Sequence, residues 1–270
     1  MYKNLVLSGG SSKGYSYIGV LKALEENDNL KSIETFLGTS VGSIFASLFS
    51  MGFKTEELKE YMNEKFEIQD INIEYLLETY GVCSGDEIMN YVGNVIEKKY
   101  KRDITFKELN FLRNNKLIIC VTDLNRHKLE YLSYENYPDL RIIDAIRFAI
   151  TLPYIFKVKK YENRVFMDAG LIQNISFYNF DPKETLGIML MDESDKVEEC
   201  KIESIEDFTK NLFICLKKNY INRVDEKYQI IEVVCKNIDV LDFSLNIEKR
   251  NYLLNCGYNT TNNYLKNFKK

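Results

Sequence analysis

Between residues 4 and 50 the chain twice passes from a short apolar run, through small residues, into a helical pattern, and this repetition restricts the fold more than any other feature. Leu5-Val6-Leu7 stops at Ser8-Gly9-Gly10, and in YSYIGVLKALEEN the apolar Tyr17, Val20, Leu21 and Leu24 then fall on one helical face. A second strand is expected over residues 33–37. Gly38-Thr39-Ser40-Val41-Gly42 turns it into VGSIFASLFS, a helix that should end at Gly52 in a left-handed cap. Strand, loop, helix, strand, turn, helix is the order of an α/β protein, a three-layer sandwich with a mainly parallel central sheet. In such folds function sits beyond the carboxyl ends of the strands.

The remaining chain extends this pattern. KLIICVTDLN reads as a strongly apolar strand, ENRVFMDAG as a hairpin-like strand ending at Asp168, and LGIMLM (186–191) as a further core strand. LRIIDAIRFAITLPYIF reads as a helix halted by Pro153. Residues 55–113 alternate charged helical pattern with breaks such as Gly81-Val82-Cys83-Ser84-Gly85, a helical insertion. Residues 195–270 read as a C-terminal helical segment. With 270 residues, no repeat and no linker-like stretch, one domain over 1–270 with a core at about 4–190 is expected.

A net charge of -4 supplies no basic surplus for phosphate contacts, so a nucleic-acid partner is not expected. The six cysteines (83, 120, 200, 215, 235 and 256) form no CxxC pair and have no close histidine to complete a zinc site, which points to reduced thiols and no metal or other cofactor. The start MYKNLVLSGG lacks the profile of a secretory signal, and no apolar run is long enough to span a membrane. The expectation is a cytoplasmic protein that can meet membranes at their periphery.

Small residues flank Ser40 in GTSVG, as a GxSxG elbow needs for a sharp strand-to-helix turn that exposes the serine Oγ. A helix N-terminus there would favour developing negative charge. The same position also suits a serine that merely caps the helix. SGGSSKG (8–14) can turn backbone N–H groups toward one point, as an anion nest or an oxyanion hole. A Walker loop would need Lys-Ser or Lys-Thr after the last glycine, but Tyr15 follows Gly14. A dinucleotide fold would need an acid where the second strand instead ends in Gly38-Thr39-Ser40. The one histidine, His127 in TDLNRHKLEY, lies too early for α/β-hydrolase order and reads as a solvated turn residue. If Ser40 attacks, a carboxylate must serve as base, and Asp168 is the best placed.

Taken together, GGSSKG (Gly9 to Gly14), GTSVG (Gly38 to Gly42) and DAG (Asp168 to Gly170) resemble the GGGx[KR]G, GxSxG and DG[GA] motifs of the patatin-like phospholipase family. SGGSSKGYSYIGVLKALEE, TDLNRHKLEYLS and AIRFAITLPYIFKV with FMDAGLIQNIS resemble its sequence blocks in order, over most of residues 4–180. The resemblance implies a patatin-like lipid acyl hydrolase without cofactor, with Ser40 as nucleophile, Asp168 as base and the amides around Gly9, Gly10 and Ser11 as oxyanion hole. Its substrate would be a phospholipid or related lipid ester at a membrane surface. Lys13, Gly14, Gly38, Gly42, Ala169 and Gly170 complete the motifs, with Lys13 either near an anionic head group or solvated. Ser11 and Ala169 depart from the family's glycines, and the Ser11 change keeps open a weakened member that binds lipid or protein. Tyr75, Leu76, Leu77 and Tyr80 are either a substrate-facing wall or plain core.

Overall fold

The structure, a computed structural model, describes residues 1–61, 72–192, 226–238 and 245–268, with scattered positions between 201 and 242. Parts of the expected insertion (62–71) and of the C-terminal segment, Cys200 included, lie outside the described residues. In chain order the elements are β1 (Asn4–Leu7), α1 (Ser16–Glu26), β2 (Thr35–Thr39), α2 (Val41–Ser50), α3 (Thr55–Tyr61), α4 (Glu74–Thr79), β3 (Gly81–Cys83), α5 (Asp86–Tyr100) and α6 (Phe106–Arg113). Then come β4 (Lys116–Asp123), β5 (Lys128–Leu132), α7 (Ile142–Ala149), β6 (Tyr154–Phe156), β7 (Lys160–Tyr161), β8 (Arg164–Asp168), β9 (Thr185–Asp192), β10 (Gln229–Cys235) and α8 (Ile247–Phe268).

The main sheet has the order β10-β9-β1-β2-β4-β8-β7, with β5 added to β4. β10, β9, β1, β2 and the first half of β4 are parallel, as the alternating pattern implies. Both faces are covered, so the central strands are apolar throughout. Leu5, Leu7, Ile119, Val121, Ile188 and Leu190 join the larger core with α1, α2, α5 and α7, while Val6, Leu37, Ile118 and Met189 pack on the other face with Ile175 and Phe177. α2 closes as expected: Gly52 has φ +75°, its N–H donates to Phe49 O, and Phe53 N–H donates to Leu48 O. These two bonds make a Schellman cap.

The decisive junction lies on one edge of β4. β2 runs parallel to β4 as far as Thr39 opposite Cys120, and β8 runs antiparallel as far as Asp168 opposite Val121. β5 occupies the other edge of β4. β2 and β8 therefore meet head-on at adjacent rungs, which brings the residue after Thr39 beside Asp168.

Three expectations are corrected. The helix read over LRIIDAIRFAITLPYIF ends at Ala149, a full turn before Pro153, because Thr151 O is taken by Asp168 N–H and Tyr154–Phe156 pairs with β3. Gly81-Val82-Cys83 is that partner strand and not a break between helices. The C-terminal segment is not helical throughout, since β10 sits within it. In QIIEVVC, Ile231, Val233 and Cys235 are buried while Glu232 and Val234 face outward, the two-residue alternation of a half-covered edge strand.

Candidate active site

The GxSxG turn is tighter than a helix start requires. A Cβ added at Gly38 would lie 2.3 Å from Gly42 O, and one at Gly42 would lie 2.5 Å from the carbonyl oxygens of both Leu7 and Ser8. The first turn of α2 thus presses on the end of β1, an approach that admits only glycine. Ser40 takes up the reversal at φ 53° and ψ -130°, a strained conformation for a residue with a Cβ. Its hydroxyl makes no capping bond to α2, so the plain helix-capping role is not the one it plays. It stands instead beside the Asp168 carboxyl, close enough to favour that group's ionised form.

Asp168 is fixed from all sides. Its N–H donates to Thr151 O at 3.0 Å, its carbonyl accepts from Thr122 Oγ1 at 3.3 Å, and its Oδ1 accepts from Gly170 N–H at 2.7 Å. Burial pushes the carboxyl up to about 6, against the nearby Ser40 hydroxyl and the Gly170 N–H, which favour the ionised form. Ala169 has no positive φ, so the glycine it replaces is not needed there. His127, by contrast, is exposed in the β4–β5 turn, as expected.

The glycine loop lies against Ser40: a Cβ on Gly9 would fall 3.0 Å from Ser40 Cβ. Gly9 N–H donates to Asn174 O at 3.0 Å, which removes it from the expected set of oxyanion donors. Gly10 N–H has no acceptor among the described residues. Ser11 adopts φ 51°, the left-handed conformation a glycine would supply, so its side chain is accommodated without changing the loop's course. Lys13 is neither solvated nor turned toward a head group. It is fully buried and its Nζ lies 2.5 Å from Asp192 Oδ1, tying the loop to the end of β9.

Beside Ser40 opens an apolar cleft of about 160 Å³. Along α2 it is lined by Val41, Ile44, Phe45 and Leu48, and across it by Ile88, Tyr91, Val92 and Val95 of α5, with Leu152 and Phe156 at the β6 side. The insertion does form a wall, but through α5. Tyr75, Leu76, Leu77 and Tyr80 do not line it, and Leu77 and Tyr80 are 87% and 60% exposed. Arg147, buried on α7, braces this wall by donating to Ser84 O and Lys157 O and to Thr151 Oγ1, at 2.6–2.7 Å. Burial lowers its guanidinium pKa below the usual value.

The patatin-like phospholipase family model matches residues 5–181. The chain belongs to that family. Among its relatives, the mimivirus protein R571 of Acanthamoeba polyphaga mimivirus is 28% identical over 94% of this chain and 91% of its own length. The "Probable lipid hydrolase 463L" of Invertebrate iridescent virus 6 is 31% identical over 64% of this chain and 61% of its own. VipD from Legionella pneumophila shares the fold, with a TM-score of 0.70 at 18% identity over 98% of this chain and 67% of its own. ExoU, solved with SpcU from Pseudomonas aeruginosa, gives a TM-score of 0.53 at 19% identity, and this chain spans 51% of its length. A phospholipase family and a relative named as a lipid hydrolase support hydrolysis of lipid esters. No helix among the described residues is long and apolar enough to cross a membrane.

Arg147, Asn174 and the α5 face are the site residues that sequence reasoning missed. Asn174 stands six positions after Asp168 in LIQNIS, where Gln173 and Ser176 are polar as well, so nothing in the local sequence singles it out.

Proposed function

We propose that the chain is a lipid acyl hydrolase of phospholipase A type, cleaving carboxylic esters through a Ser40 acyl-enzyme with Asp168 as base. One observation carries this reading: the Ser40 side chain stands beside a buried carboxyl, raised to about 6, at the mouth of an apolar cleft. Ser40 Oγ attacks the ester carbonyl as its proton passes to Asp168. The tetrahedral oxyanion is held by the amides of Gly10 and Ser11 and by the N-terminal field of α2. Asp168 returns the proton to the departing alcohol, leaving the acyl group on Ser40. It then takes a proton from water for deacylation. A base near 6 is ionised at neutral pH yet more basic than an exposed carboxylate, which is why the pair can work without histidine.

The cleft suits an acyl chain. Its α2 stripe runs from beside Ser40 to Leu48, about 12 Å at 1.5 Å per residue. Tyr154, exposed on the same strand that carries cleft-lining Phe156, supports presentation of the ester at a membrane surface. Labelling by a fluorophosphonate and turnover of mixed phospholipids test the reading together. Wild type and His127→Ala should label and turn over alike, Ser40→Ala should do neither, and Asp168→Asn should lose turnover. Full turnover by Asp168→Asn would remove the base from the mechanism.

A further inference from the structure

Two consecutive peptide units of the glycine loop offer four hydrogen-bonding groups, and three of them are already held. In the Ser8–Gly9 unit, Ser8 O accepts from Tyr17 OH at 2.7 Å and Gly9 N–H donates to Asn174 O at 3.0 Å. In the Gly9–Gly10 unit, Gly9 O accepts from Ser8 Oγ at 2.8 Å and from Asn174 Nδ2 at 3.4 Å. Ser8 Oγ itself accepts Leu190 N–H at 3.0 Å, which leaves its own proton for Gly9 O. The fourth group is Gly10 N–H, which has no acceptor among the described residues.

A planar trans peptide points its N–H opposite to its carbonyl, so whatever holds Gly9 O also aims Gly10 N–H. We propose that Asn174 is a positioning residue for the oxyanion hole: its carbonyl and its side-chain amide clamp both peptide units, with Ser8 as second donor, so that Gly10 N–H is aimed before substrate arrives. The inference rests on the hydrolase reading of Ser40. Asn174 touches the oxyanion through no atom of its own.

The test uses the full chain and a soluble short-chain ester, with Ser40→Ala as the blank. Losing an oxyanion donor outright costs about 10²–10³ in kcat, and a loosened one about ten-fold or more, so Asn174→Ala should lose kcat on that scale while KM and Tm stay near wild type. Asn174→Asp has the same size but no side-chain donor and should lose at least as much. A merely structural role predicts that Asp is tolerated and that Ala lowers Tm. Unchanged kcat in Asn174→Ala, or a change in KM alone, overturns the proposal. If Asn174→Ala does not fold, Ser8→Ala reads the same peptide through its other donor and should show the same loss in kcat. If wild type cleaves no ester, the hydrolase reading fails by itself, and crystals of Asn174→Ala decide the positioning: a rotated Gly9–Gly10 peptide supports it, an unmoved one overturns it.

Discussion

Asp168→Asn should inactivate the protein and stabilise it in the same step. The native carboxyl is buried and raised from 3.8 to about 6, whereas in the unfolded chain it returns to its ordinary range. Below pH 4 both states are protonated and burial carries no ionisation cost. Between pH 4 and 6 the unfolded chain ionises first, so it binds fewer protons than the native state and stability falls as pH rises. Above pH 6 the loss is complete, about 3 kcal/mol for a rise of this size at 1.36 kcal/mol per pKa unit. Asparagine keeps an oxygen to accept from Gly170 N–H and carries no charge, so it escapes that loss. Thermal melts should place Asp168→Asn about 6 °C above wild type at pH 7.5, at roughly 2 °C per kcal/mol for a chain of this size. The two should converge only below pH 4, where both states are protonated. With Asp168 as the proposed base, turnover by wild type should fall on an acid limb near pH 6 as that carboxyl becomes protonated. A variant that melts at or below wild type at pH 7.5, or a difference independent of pH, would refute the reasoning.

Other substitutions probe the turn and the cleft. Ser40→Gly and Ser40→Ala should both be inactive, but the glycine variant should be about 1 kcal/mol more stable in denaturant melts, because φ 53° strains any residue with a Cβ. Gly42→Ala puts a methyl 2.5 Å from two carbonyl oxygens of the β1 end and should cost about 3 kcal/mol or more; wild-type stability in that variant would mean the elbow is looser than described. Ile44→Trp places an indole in the cleft one turn of α2 from Ser40, and should spare p-nitrophenyl butyrate while cutting turnover of p-nitrophenyl palmitate. Equal loss on both esters would argue that acyl chains lie elsewhere.

The legible parts of the site were those whose chemistry is local. A strand that turns within three residues into a helix needs small neighbours, so Gly38 and Gly42 mark the elbow from sequence, and a lone histidine in an Arg-His-Lys turn declares itself solvated. The illegible parts depend on partners far along the chain. Lys13 looks like any loop lysine until its Nζ is found against Asp192, and Gly9 looks like an oxyanion donor until its N–H is found on Asn174. Gly81-Val82-Cys83 reads as a break because a three-residue strand has no periodicity of its own. It becomes a strand only when Tyr154–Phe156 lies beside it.

What the sequence by itself determined is the order of parallel strands and helices and the two residues that could react, because apolar periodicity and backbone conformation are properties of short segments. Tertiary structure alone decided that those residues meet. Ser40 and Asp168 are brought side by side because β2 and β8 run toward each other along one edge of β4 and stop at neighbouring rungs, Cys120 and Val121. It also decided how basic Asp168 is, since only the packed core removes the water that would otherwise hold its pKa down.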